Sequence, residues 1–365
     1  MNILFLAPRF HTNQYEIVKI LIKENNKVYF HSKTKGKIEN HKLIKPIIFE
    51  ESRLTYFYKK IFNNPNDNNI IYLPKLIKYY FYLKKFNIDI CIIRVHGFLY
   101  TYLVSFILRL LNIKIIYYEQ TSSNLEFIAG IKLFRKFDFY LRLYLFNAKW
   151  FTPLKESNNI KLPKNCYYLP FVASVYKNKT KFQYPLKIIT VGKFQKRKNH
   201  IFLLKSLLKY FKKNQIYLTI IGEVSNPKHY KNYINVKKFI KENKIEKYIN
   251  IYKNLDHMKI FNIYTQNNFF VLPSSNEPAS ISLIEAIGCG LPVICSDSCG
   301  TKTYIKEKYN GFIFKTNNST SLINKLDLFI FDLKLLKKMS SQSYIYANNY
   351  LSSNNYLKYF NEIIK

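Results

Sequence analysis

The sequence predicts an α/β protein made of two doubly wound, Rossmann-like domains facing a central cleft, and three observations carry that expectation. The chain has 365 residues, more than one hydrophobic core usually serves, so two domains are expected. Apolar runs of strand length alternate with segments whose apolar residues recur at helical spacing, the rhythm of a parallel sheet covered by helices. That rhythm stops near residue 170 and starts afresh at Leu186.

In order, residues 3–8 read as a strand, 15–23 as a helix and 26–31 as a second strand. Residues 88–95 and 114–118 are further strands, with a helix over 99–111 between them. Leu169-Pro170-Phe171-Val172 and the polar stretch 176–184 have the character of a link. The second series has a strand over 186–191, a helix over 201–211 and strands over 216–221, 248–252, 269–272 and 291–295. The expected division is 1–174 for the first domain, 175–185 for the linker and 186–345 for the second domain. Residues 346–365 are expected to form a C-terminal helix that packs back on the first domain. Ligands of such sheets lie beyond the carboxyl ends of the strands, here in the cleft.

Composition narrows the class. The longest apolar run, 98–108, is closed by Arg109, Asn112 and Lys114, so no transmembrane helix is expected. The apolar start is too short, and has no basic leader, for a signal peptide; it reads as the first strand. Five cysteines, at 91, 166, 289, 295 and 299, lack metal-site spacing and suit reduced thiols in a cytoplasmic protein. The formal charge of +36 has two readings. Lys, Asn, Ile, Tyr and Phe all have A/T-rich codons, so genome composition alone raises lysine. A basic surface also attracts anionic ligands and lipid. No helix-turn-helix, RNP or zinc-finger pattern is present, so nucleic acid is not an expected partner.

The chemistry concentrates in two segments. The strand 269–272 runs into Pro273-Ser274-Ser275-Asn276-Glu277-Pro278-Ala279-Ser280-Ile281, and Pro278 fits the first turn of a helix. That start directs the free N–H groups of Ala279, Ser280 and Ile281 at a phosphate. Glu277 just before the helix and Glu285 one turn into it flank the same ligand, and carboxylates accept well from paired sugar hydroxyls. After the strand 186–191 comes Gly192-Lys193-Phe194-Gln195-Lys196-Arg197-Lys198. Gly192 suits a tight turn, and Lys193 and Lys198 neutralise a neighbouring diphosphate. The Walker spacing is absent. At strand-end loops in the first half lie His11, Asn13, His96, Glu119 and Gln120, candidates for the acceptor side. Gly288 and Gly290 read as turn residues, and Cys295 and Cys299 as packed thiols.

These segments resemble the retaining glycosyltransferases of the GT-B fold, family 4 in particular. The carriers are Glu277 and Glu285 in E-x7-E spacing, Ala286-Ile287-Gly288-Cys289-Gly290-Leu291-Pro292-Val293-Ile294, Val191-Gly192-Lys193 through Lys198, Ile220-Ile221-Gly222-Glu223 and Asn310-Gly311-Phe312. The resemblance is dense over 188–314 and in outline elsewhere. It implies transfer from a UDP- or GDP-linked sugar to a glycan or lipid-linked saccharide in bacterial surface-polysaccharide synthesis. It also implies Lys193 and Lys198 on the diphosphate, Glu277 beside the donor sugar, Glu285 on the ribose, and no metal or further cofactor, in keeping with the missing D-x-D motif. The chain departs from the family in Ala279-Ser280 where Phe-Gly is usual, in Lys193 for Arg, in a first loop without paired glycines, and in Glu119-Gln120 where many members have His. A nucleotide-sugar epimerase, a phosphorylase, a glycosidase with two carboxylates and a non-catalytic sugar-nucleotide module are the alternatives.

One more segment points to a partner. Residues 131–144 interleave Lys132, Arg135, Lys136 and Arg142 with aromatic and leucine residues around a single acid, Asp138. Such a helix suits the inner, anionic face of a cell membrane. A core-packing helix whose basic stems snorkel to water is the other reading.

Overall fold

The structure, a computed structural model, describes residues 1–10, 12–34, 42–61, 74–94, 98–119, 133–154 and 161–365; the side chains of 12, 13, 58, 59, 98, 99 and 133–135 are outside that description. The chain divides into two compact units, Met1–Pro170 with Tyr359–Lys365, and Phe171–Lys358.

The first unit holds a sheet with strand order β3-β2-β1-β4-β5-β6-β7 among the described residues. The strands are β1 (Asn2–Ala7), β2 (Lys27–Ser32), β3 (Ile47–Ile48), β4 (Ile90–Arg94), β5 (Lys114–Tyr118), β6 (Lys149–Thr152) and β7 (Cys166–Tyr168). All pairings are parallel, with Ile3 opposite Val28 on one side and Ile90 on the other. A central strand of a parallel sheet is covered on both faces, which is why β1 is a continuous apolar run and not an alternating one. Helices α1 (Thr12–Lys23), α2 (Arg53–Ile61), α3 (Leu76–Lys85), α4 (Phe98–Leu110) and α5 (Leu133–Leu145) accompany it. The core joins Leu4, Leu6, Ile93, Tyr117 and Trp150 to Val104 and Leu108 of α4 and Phe139 and Leu143 of α5.

Within that core Arg142 of α5 is 1% exposed. Its Nε lies 3.0 Å from Asp138 Oδ2, its Nη1 donates to Thr101 Oγ1 at 2.7 Å, and the guanidinium lies 4.2 Å from the Tyr102 ring centre. This corrects the reading of Arg142 as a headgroup contact. Burying the cation is tolerable only with these partners, so it faces the core and not the surface. Lys132 falls outside the described residues.

The second unit repeats the plan with order β10-β9-β8-β11-β12-β13, again parallel throughout. Its strands are β8 (Leu186–Val191), β9 (Ile216–Gly222), β10 (Ile249–Lys253), β11 (Phe269–Leu272), β12 (Val293–Ser296) and β13 (Gly311–Phe314). Its helices are α6 (His200–Lys212), α7 (Pro227–Glu242), α8 (His257–Tyr264), α9 (Ile281–Gly288), α10 (Ser319–Phe331) and α11 (Leu333–Tyr350). On α6, Leu203, Leu204, Leu207, Tyr210 and Phe211 are buried at helical spacing while Lys205, Lys209 and Lys212 stay in water. Residues 175–185, read as a linker, are tied to this unit: Tyr176 N–H donates to Gly288 O at 2.8 Å and Thr180 Oγ1 to Thr265 O at 2.8 Å. The last helix, α12 (Ser353–Ile364), contains the boundary between the units and puts Phe360 edge-on to Phe151 within the first. Among the described residues no helix is long and apolar enough to cross a membrane. All five cysteines are buried free thiols.

Each unit buries a histidine against aromatic rings. His31 is 2% exposed among the rings of Phe49, Tyr79 and Tyr82, and His200 is 5% exposed beside Phe194. Burial lowers both from 6.5 to about 3, with the Lys198 charge adding to the effect at His200. The unfolded chain therefore takes up these protons first. Their contribution is complete above about pH 7 and is lost as pH falls from 6.5 towards 3, at up to about 1.4 kcal/mol per pH unit per histidine. Urea unfolding between pH 7.5 and 5 should show this loss, and His31→Phe should flatten it. A slope unchanged by the substitution would contradict the assignment.

Candidate active site

The strand order of the second unit reverses between β8 and β11, so the loops after these strands diverge around a crevice at their carboxyl ends. From β8 the chain passes Gly192 into a 3-10 turn, Lys196–Lys198, and then Asn199 in the left-handed region (φ 52°) before α6. A Cβ on Gly192 would lie 3.0 Å from Lys198 Cε. The missing side chain leaves the path that the lysine follows. From β11 the chain reaches Asn276, also left-handed at φ 58°, and then Glu277. Glu277 is extended. Its N–H donates to Ser298 O at 3.2 Å and its carbonyl accepts from Gly300 N at 2.7 Å, while Ser275 N–H donates to Arg197 O at 2.7 Å.

These backbone ties converge on one carboxylate. Glu277 Oε2 accepts from Lys198 Nζ at 2.5 Å and from Arg197 Nη1 at 2.6 Å. Glu277 is 4% and Lys198 8% exposed, so the pair has little water to compensate either charge and each needs the other. Glu277 Oε1 has no partner among the described residues and remains an open acceptor.

Arg197 is itself oriented. Its Nε donates to Gln195 Oε1 at 3.0 Å, which turns the Gln195 amide nitrogen towards His229 Nε2 at 3.2 Å. His229 Nε2 is then the acceptor of a neutral ring, and Nδ1 lies 3.0 Å from Ser225 Oγ and 3.4 Å from the Ser225 N–H. Burial, helped by the Lys193 ammonium, lowers the His229 pKa and favours this neutral form. Lys193 Nζ lies 3.0 Å from Glu223 Oε1 and 2.9 Å from Oε2.

The helix after Glu277 begins later than the sequence implied. Ser280 is the N-cap, its Oγ accepting from Leu283 N–H at 3.3 Å, and α9 starts at Ile281. Pro278 is therefore outside the helix and not in its first turn. Glu277 precedes a proline and bridges to Cys299, and both constraints hold the chain extended there. The Ser280 N–H donates to Thr301 Oγ1 at 3.3 Å, whereas the amides of Ala279, Ile281 and Ser282 have no acceptor among the described residues. Ser282 Oγ donates to Val191 O at 3.0 Å, fixing the helix start against the end of β8.

One turn on, Glu285 is 8% exposed. Its Oε1 lies 2.6 Å from His257 Nε2, and its Oε2 accepts from Tyr264 Oη at 3.3 Å. Burial first, and then Glu285, raise the Tyr264 pKa well above its ordinary value, so the phenol remains a donor.

Thus Gly192, Lys198 and Glu277 come together, with Ala279, Ser280, Ile281 and Glu285 on the adjoining loop and helix. Lys193 is engaged by Glu223. Arg197, His257 and Tyr264 were missed. Arg197 was visible only as one cation in a Lys-Arg-Lys run, while Asp256-His257 carries the mark of a helix start, since Asp256 caps α8 by accepting from Met258 N–H at 2.8 Å. In the first unit His11, His96 and Gln120 lie outside the described residues, and Asn13 is in α1 with its side chain outside the description. Glu119 follows β5, its N–H donating to Phe151 O at 3.1 Å. Arg94, which closes β4, has a buried Nη1 without a hydrogen-bond partner among the described residues. Among the described residues no three His, Cys, Asp or Glu side chains cluster as a metal site requires.

Residues 174–345 match the sequence profile of glycosyl transferases group 1. An uncharacterized glycosyltransferase of Haemophilus influenzae is 28% identical over 252 residues, 66% of this chain and 67% of that protein. The N,N'-diacetylbacillosaminyl-diphospho-undecaprenol alpha-1,3-N-acetylgalactosaminyltransferase of Campylobacter jejuni is 34% identical over 101 residues, 27% of each chain. Anabaena HepE, solved in complex with UDP, is 12% identical and shares the fold, with a TM-score of 0.72 over 100% of this chain and 99% of that one. The segment that holds the Glu277 and Glu285 loops thus matches the glycosyl transferases group 1, and the chain shares the GT-B fold along its length.

Proposed function

We propose that this chain is a glycosyltransferase that takes a hexosyl group from a UDP- or GDP-sugar and adds it, with retention at the anomeric carbon, to a glycan or lipid-linked saccharide of a bacterial surface polysaccharide. The observation that carries the reading is the buried Glu277 carboxylate held by Lys198 and Arg197 at the strand-order reversal, with the α9 N-terminus and Glu285 beside it. Cations and helix amides suit a diphosphate, and open carboxylate oxygens suit sugar and ribose hydroxyls. The C. jejuni relative, named for a diphospho-undecaprenol acceptor, supports the lipid-linked class.

In this mechanism the bond from the anomeric carbon to the diphosphate oxygen breaks first, through an oxocarbenium-like state, and negative charge grows on the leaving phosphate. Lys198 gives one of its three N–H donors to Glu277, and the others are directed at that charge. Arg197 and the amides of Ile281 and Ser282 add fixed positive potential, preorganised before the bond breaks. Glu277 Oε1 holds a hydroxyl of the sugar. The departing phosphate oxygen then accepts the acceptor's proton on the face from which the acceptor attacks, so no separate protein base is invoked.

Incubation with a panel of UDP- and GDP-sugars, followed by nucleotide release with and without acceptor, tests the reading. Binding without turnover would favour a non-catalytic module. Lys198→Ala should lower kcat/KM for the donor by about 10²-fold, the scale of a lost preorganised charge donor. Unchanged kinetics in the folded variant would remove Lys198 from the site.

The two glutamates should separate kinetically. Glu285→Ala is expected mainly to raise donor KM, because ribose contacts are common to ground and transition states. Glu277→Ala is expected mainly to lower kcat, because the sugar changes shape and charge at the barrier. The same kinetic signature in both would overturn this division of labour.

We also place the first unit at the inner face of the membrane. Leu54, Phe57 and Ile61 of α2 lie at helical spacing, all exposed beyond half, near Arg53 and Lys60. Phe137, Tyr140 and Tyr144 of α5 point outward with Lys136. Apolar side chains among cations suit an anionic interface, with about 1 kcal/mol per basic group. Co-sedimentation should be stronger with anionic than with neutral vesicles, weaker at high salt, and reduced by Phe57→Ser. Equal sedimentation with both lipids would refute docking.

A further inference from the structure

The ribose contact proposed for Glu285 leaves unexplained why this carboxylate has two protein partners of its own. An ionised carboxylate only accepts, and its two oxygens offer about four lone-pair positions. His257 takes one on Oε1 at 2.6 Å and Tyr264 takes one on Oε2 at 3.3 Å. One position is left on each oxygen. Two acceptors on adjacent oxygens of one planar group match a vicinal diol, which presents two hydroxyls at about that separation.

His257 is held where it can impose this arrangement. It is the first residue of α8, after the Asp256 cap. The Phe261 ring, one turn on, meets it edge to face at 5.2 Å with planes 77° apart. Phe261 in turn packs near Tyr176 at 5.7 Å and Tyr264 at 6.4 Å. The imidazole therefore has little freedom to swing away, and Nε2 must carry hydrogen to meet Glu285. Rotation of the carboxylate about its last bond would break the His257 contact. Tyr264 alone holds it weakly, because the same hydroxyl also donates to Ser282 O at 3.1 Å.

From this geometry we infer that His257 is a positioning residue: it fixes the plane of Glu285 so that the site recognises the vicinal diol of a ribonucleotide and disfavours deoxyribose forms. The inference rests on the reading that Glu285 holds the nucleotide ribose. His257 touches the carboxylate and not the ligand, so its loss acts on selectivity in the first place and on the chemical step hardly at all.

Calorimetric titration of the full chain with UDP and GDP, each beside its 2′-deoxy and 3′-deoxy forms, tests it. His257→Asn, whose amide is too short to reach Oε1, should weaken ribonucleotide binding by about tenfold, the scale of one charge-assisted hydrogen bond. Deoxy forms should change little, so the preference for ribose shrinks. His257→Gln, with an amide nitrogen near the place of Nε2, should keep most of the preference. With saturating donor, kcat should stay within about twofold in both variants. Equal weakening of ribo and deoxy forms by His257→Asn, or no weakening at all, would overturn the positioning role while leaving the ribose reading intact. If Glu285→Ala also binds ribo and deoxy forms as the wild type does, the ribose reading falls and takes this inference with it.

Discussion

The arrangement of the second unit's ligand end depends on one buried carboxylate. Glu277 sits where three loops meet, those after β8, β11 and β12, and each loop gives it something different: two cations, its own backbone placement, and the bridge to Cys299. A carboxylate this buried is costly alone, and removing one partner of such a pair typically costs about 3–5 kcal/mol. The charges thus organise the crevice before any ligand arrives. Preorganised charge is also what a leaving diphosphate requires, because it needs no rearrangement at the moment of bond breaking. In the mechanism proposed above, structural pairing and catalytic electrostatics are served by the same three side chains.

Much of this was legible in the sequence because it is local. The strands β1, β4, β5 and β11 each carry at least four apolar residues in a row, as strands of a sheet covered on both faces do. Glu277 and Glu285 stood out because a strand-loop-helix order puts both near one strand end. What local pattern did not carry was pairing across distance. Arg197 and Glu277 are eighty residues apart, and nothing in a Lys-Arg-Lys run says which cation turns inward. His257 reaches Glu285 only because α8 and α9 are neighbours in the fold. The sequence places the start of α9 three residues early for a related reason: Pro278 is compatible with a first helical turn, but the bridge from Glu277 to Cys299 keeps that stretch extended.

Charge pattern misled once, at Arg142, and the cause is general. In a chain with 58 lysines and arginines, a basic residue next to aromatics looks like a surface group whichever way it points. Asp138, one turn earlier on the same face of α5, was the cue that Arg142 had an internal partner. The same logic separates Lys193 from Lys198. Both lie in one loop, but Glu223 at the end of β9 neutralises the first, whereas the second reaches Glu277 through the space that Gly192 leaves open.

The composition bias also shows what the fold does and does not need from glycine. Apart from Gly290 at φ +70°, the left-handed positions among the described residues are held by Asn, as at Asn199 and Asn276, and twice by Lys. Asn tolerates that region because its short amide bonds locally, so turns survive its substitution for glycine at modest cost. Close approach has no such substitute. At Gly222, where β9 ends, a Cβ would lie 2.3 Å from Phe194 Cε2 and 2.9 Å from Gly192 O. Any side chain there would push on the loop that carries Arg197 and Lys198 to Glu277. A chain drifting towards Asn and Lys can therefore give up glycine in its turns, but at Gly222 contact distance alone holds the residue in place, and the charge cluster depends on it.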